Sequence, residues 1–109
     1  MLELIDQTAI ISQETTEIGA FMEALDPLLT AHLSHHVIVV LSDTETSETI
    51  ALSYFEKWAI AFKEGAKSFI VVTQAIGYEE APETLSVCPS LQEAKDLIEM
   101  KEIERDLGF

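Results

Sequence analysis

The stretch Val37-Ile38-Val39-Val40-Leu41-Ser42 decides the fold: it is apolar, mostly β-branched, and stops abruptly at Asp43. That is strand length, too short for a buried helix, and β-branched side chains suit a pleated, crowded surface. Both faces are apolar, so this strand is expected in the middle of an α/β sheet, covered on each side. A second such run, Ser68-Phe69-Ile70-Val71-Val72-Thr73, follows after one helical pattern. The two are expected to be neighbouring parallel strands joined by a right-handed helical crossover.

Upstream, Leu2 to Ile5 and Thr8 to Ser12 are β-compatible and flank Asp6-Gln7, the pattern of a two-residue hairpin. Thr15 or Thr16 then caps a helix whose Ile18, Phe21, Met22 and Leu25 fall on one stripe. Pro27 is expected to interrupt it and open a short second segment through Leu28, Leu29 and His32. Past the central strand, Ser42 and Glu45 have capping-box spacing, with Thr46 or Ser47 as an alternative cap. Ile50, Ala51, Tyr54, Trp58, Ala61 and Phe62 form the apolar stripe of the next helix, with Phe55 slightly off it. Gly65 marks its expected stop.

Residues 74–84 are polar, contain Gly77 and Pro82, and read as a loop. Leu85 to Cys88 has the length of a short last strand. Ser90 and Glu93 make a capping box for a final helix burying Leu91, Ala94, Leu97 and Ile98, with Met100, Ile103 and Leu107 continuing an apolar edge. The order β-β-α-β-α-β-(β)-α predicts a single α/β domain over 1–109, a central mixed sheet of four or five strands with helices packed on it.

Twenty acids against six bases give a net charge of -14, and no Lys or Arg precedes Lys57. Nucleic acids and anionic membrane surfaces need cations at the contact, so neither is an expected partner. A basic protein, steered by the acidic surface, fits better. One cysteine, Cys88, excludes an internal disulfide. With no apolar run of spanning length and no signal-peptide pattern, a reducing cytoplasm is the expected compartment.

The central strand ends Val40-Leu41-Ser42, and seven residues after Leu41 begins Glu48-Thr49-Ile50-Ala51-Leu52. In this order of elements the chain resembles a STAS domain, the SpoIIAA-like fold of bacterial anti-sigma factor antagonists. In that family the strand ends Asp-Leu-Ser, and Asp-Ser-Ser-Gly-Leu opens the next helix and carries a regulatory phosphoserine. Leu41, Ser42 and Leu52 match, Glu48 stands in for the acid, Ile50 falls at the usual phosphoserine, and Ala51 replaces the glycine. The resemblance therefore implies a non-enzymatic interaction domain with a shifted phosphosite, for which Thr46, Ser47 and Thr49 are the candidates. It implies docking through Ser42, Asp43, Glu45, Glu48 and Leu52, and Phe55, slightly off the helix stripe, is expected to join that contact surface. The implied partner is an anti-sigma factor of the kinase-like kind. The last stretch, Leu91 to Phe109, looks like the tail of short STAS-like proteins from Bacteroidetes-type bacteria, whose genes can lie beside one for ribonuclease Z, a second partner candidate.

Other chemistry is weaker on the page. Asp43, Glu45 and Glu48 suit Mg²⁺ by ligand type, as in a receiver-like signalling domain. The acidic pair such a domain carries after its first strand is missing following Thr8 to Ser12, and no late Lys-Pro occurs. His32, His35 and His36 have no second ligand cluster to complete a zinc site and are expected as loop histidines. Cys88 is expected as a buried, inert thiol. Arg105 is the only arginine and lies in the last helix, so an enzyme of anionic substrates is hard to build. No cofactor or metal is assigned. The remaining alternative is a structural subunit that stabilises an enzyme or forms a homodimer.

Overall fold

A computed structural model describes residues 2–5, 7–12, 18–41, 49–73 and 85–108. Its elements are β1 (Leu2–Ile5), β2 (Thr8–Ser12), α1 (Ile18–Ala31), β3 (His36–Val40), α2 (Thr49–Glu64), β4 (Phe69–Val72), β5 (Ser86–Cys88) and α3 (Leu91–Asp106). The five strands form one mixed sheet in sequence order. β1 is antiparallel to β2 with Ile5 opposite Thr8, the register of a two-residue connection. The β2–β3, β3–β4 and β4–β5 pairs are parallel. β3 is thus the middle strand, as its two apolar faces require.

The pleat divides β3 between two cores. Val37 and Val39 face α1 and α2, packing with Phe21, Leu25, Leu29, Phe55 and Phe62. Ile38 faces the opposite side, where Ile10 and Ile70 meet Ala94 and Ile98 of α3. This alternation is the period of a strand, and it explains why β3 and β4 read as unbroken apolar runs. The ladder runs slightly past the strand ends, through Leu41 N–H to Val72 O and Thr73 N–H to Cys88 O, each 2.9 Å. No described helix is long and apolar enough to cross a membrane.

Three local expectations are corrected. Pro27 does not interrupt α1, which continues to Ala31. Pro27 lies on the exposed side, while Phe21, Leu25 and Leu29 keep one buried stripe across it. Burial of that stripe outweighs one lost helical bond. The α2 stripe is centred on Phe55, Ala59 and Phe62, with Tyr54 and Trp58 at its margins. Phenylalanine has no polar atom to satisfy and takes the centre, while Tyr54 sits at the rim, where its hydroxyl reaches Asp26. Phe55 is 1% exposed. It is a core residue and unavailable as the partner contact expected of it.

The stop of α2 is built on Ala66, not on Gly65. Ala66 has φ 60, whereas Gly65 is not left-handed. Lys67 N–H reaches Phe62 O at 2.9 Å and Ala66 N–H reaches Lys63 O at 3.0 Å, the paired bonds of a Schellman motif. Its left-handed position usually holds glycine, because a Cβ there is strained. Ala66→Gly is therefore expected to stabilise the protein by about 0.5–1 kcal/mol, read as a raised midpoint in urea unfolding.

Candidate functional site

The parallel strands give the sheet two unlike ends. The carboxyl ends of β2, β3 and β4 lead into residues 13–17, 42–48 and 74–84, which lie outside the described residues. The expected partner surface falls there: Ser42, Asp43, Glu45, Thr46, Ser47 and Glu48 are outside the described set. Thr49 and Leu52 are on α2, but their side chains are outside it too. Near this helix start, Tyr54 donates from its hydroxyl to Asp26 Oδ1 at 2.5 Å, tying α2 to α1. Burial and this bond raise the Tyr54 hydroxyl to about 12. Trp58 lies near enough to oppose that rise, although its buried Nε1–H has no hydrogen-bond partner of sound geometry among the described residues.

The amino ends of β3, β4 and β5 carry a polar cluster that the sequence did not announce. His36 is the first residue of β3 and is buried, not a loop histidine. Its Nδ1 accepts from Ser68 N–H at 3.0 Å. The ring proton therefore sits on Nε2, which donates to Glu102 of α3. One imidazole thus fastens the start of β4 and the last third of α3 to β3. His32 hydrogen-bonds through Nδ1 to Leu28 O at 2.8 Å, and its ring lies tilted against that of His35, 5.3 Å between centroids. Among the described residues no group of three His, Cys, Asp or Glu side chains is arranged to hold a metal.

Glu102 is held below the ordinary glutamate range, first by the His36 hydrogen bond, then by the positive charge of its surroundings, Lys67 and Arg105 included; slight burial opposes this. A carboxyl lowered on folding stabilises the fold fully above the ordinary range and ceases to as pH falls through its folded value. Glu102→Gln keeps an acceptor for His36 but removes the charge. Its melting temperature is accordingly expected to fall less steeply than the wild type's on acidification below the carboxylate range. A wild-type slope retained in the variant would remove Glu102 from the acid transition.

Beside this pair opens a cleft of about 390 Å³. Lys63, Lys67, Lys101 and Arg105 line it with Ser68 and Ser86, and Glu104 is its one acid. Four of the six cations of the chain thus meet in one place. None of the four is within ion-pair distance of a carboxylate among the described residues. Arg105 Nη2 donates to Ser68 Oγ at 3.5 Å, a long bond. Its Nη1 is shut from solvent without a hydrogen-bond partner among the described residues. Lys63 and Arg105 lie in the last turns of α2 and α3, where a cation complements the negative helix end. Lys67 lies beyond α2 and Lys101 a turn earlier in α3, so the helix dipole does not account for them.

The single arginine and three of the lysines, far apart in sequence, are gathered by the fold into this one cleft. Lys63 and Lys67 are four apart, as are Lys101 and Arg105. That doubled spacing at the ends of two helices was the available signal; the topology that joins the pairs was the missing one. No protein-family model matches this chain, and no curated protein matches it.

Proposed function

We propose that the chain is a STAS-like, SpoIIAA-like interaction domain without enzymatic activity. It docks a protein partner through Ser42–Leu52, the connection from β3 into α2. The reading is carried by the succession β-β-α-β-α-β-β-α, the order on which the resemblance rests. A monotonic strand order supports it, as does the placement of the connection past a middle strand, where open α/β sheets present their working loops. The excess of acids over bases favours a basic partner surface and fast encounter. A kinase-like anti-sigma factor is the partner the resemblance implies, with Thr46, Ser47 or Thr49 as the hydroxyl that phosphate would occupy.

Glu48→Lys tests this. Reversing a charge inside the contact is expected to weaken association about tenfold or more while leaving the melting temperature within error. Unchanged association would take the connection out of the interface.

A second reading has its own observation. β1 is an edge strand with Leu2, Leu4 and Ile5 exposed, and α3 exposes Met100, Ile103 and Leu107. An apolar edge of this kind suits pairing with another chain. A structural subunit or homodimer would use it, and its association would be indifferent to Glu48→Lys.

A further inference from the structure

We infer that the cleft at the amino ends of β4 and β5 is a binding site for a small phosphate-bearing molecule. It lies at the end of the sheet opposite the proposed docking connection and stands independently of that reading.

Charge is the first argument. In a chain of net charge -14, cations should disperse among the acids, yet four collect in one cleft without ion pairs among the described residues. Lys101 and Arg105, one helical turn apart, repel each other there. Such an arrangement costs stability, and a bound anion reverses the sign of that cost.

Donor geometry is the second. Arg105 lines the cleft with a guanidinium, a delocalised cation whose planar N–H donors suit phosphate oxygens. Lys101 adds an ammonium donor from the same helix, Lys63 and Lys67 add two more from α2 and the loop after it, and Ser68 and Ser86 add hydroxyls. The donors come from α2, the loop after it, the start of β5 and α3. That suits the several oxygens of a tetrahedral phosphate better than a planar carboxylate.

Size is the third. The cleft volume, about 390 Å³, is in the range of small-molecule sites. A polyanion such as nucleic acid would extend past the cations into the acidic surface and be repelled, whereas a small ligand meets only the cleft.

The test is a titration of the intact protein with inorganic phosphate and pyrophosphate, followed by ¹⁵N–¹H NMR at the Ser68, Phe69 and Ser86 amides. Saturable shifts at these amides are expected, with millimolar or tighter dissociation. Arg105→Gln and Lys101→Gln should each weaken binding about tenfold, the scale of one charge-assisted contact. Lys57→Gln and Lys95→Gln, outside the cleft, should leave it unchanged. Circular dichroism checks folding; if Arg105→Gln is unfolded, Lys101→Gln decides. Shifts that never saturate, equal weakening by Lys57→Gln, or malonate binding as tightly as phosphate would each overturn the assignment.

Discussion

Phe62→Ala is expected to destabilise the protein by about 3–5 kcal/mol, the usual cost of deleting a buried aromatic ring. Phe62 is fully buried, with its ring 5.4 Å from Phe69 and 6.3 Å from Trp58. It stands where α2 meets the start of β4, in the core cluster shared with Phe55 and Phe69. The loss should appear as a lower denaturant midpoint at unchanged slope. A loss below about 1 kcal/mol would mean that α2 does not pack on the sheet through this stripe.

The second large effect belongs to the other face. Ile98→Ala is expected to cost about 2–5 kcal/mol, because Ile98 packs with Ile10, Ile38 and Ile70 beneath α3. Leu97, its neighbour in sequence, is only partly buried. Leu97→Ala should therefore cost about half as much or less, in proportion to the apolar area it covers. The order of the two losses is the informative quantity. Equal losses, or the reverse order, would turn α3 by one residue relative to the sheet.

Strands were legible because two constraints coincide in them: β-branched residues fill a pleat, and two covered faces demand apolar residues at every position. Val37 to Val40 and Phe69 to Val72 satisfy both, and the Ser90 cap is equally local, with Glu93 N–H donating to Ser90 Oγ at 3.2 Å. Helix orientation was harder to read. The aromatics from Tyr54 to Phe62 span more than one face, and only the packing of Phe55, Ala59 and Phe62 on the sheet centres the stripe. At Pro27, long-range burial of Leu29 overrides a local breaker, and at Ala66 the backbone takes glycine's conformation without a glycine. The cationic cleft depends on residues some forty positions apart. Nothing local links Lys63 and Lys67 to Lys101 and Arg105; the stacking of α2 and α3 against opposite faces of one sheet does. Residues 42–48 of the proposed docking connection lie outside the described residues, between β3 and α2.

The central claim is that this domain works by docking a protein through the connection between β3 and α2. Light crosslinking in the native cell, followed by mass spectrometry of crosslinked and modified peptides, addresses it directly. The account predicts that crosslinks to one basic protein map to residues 42–52, with phosphate on Thr46, Ser47 or Thr49. Crosslinks confined to β1 or the exposed edge of α3, joining copies of this chain or an enzyme to an unmodified protein, would contradict it and leave the fold as a structural scaffold.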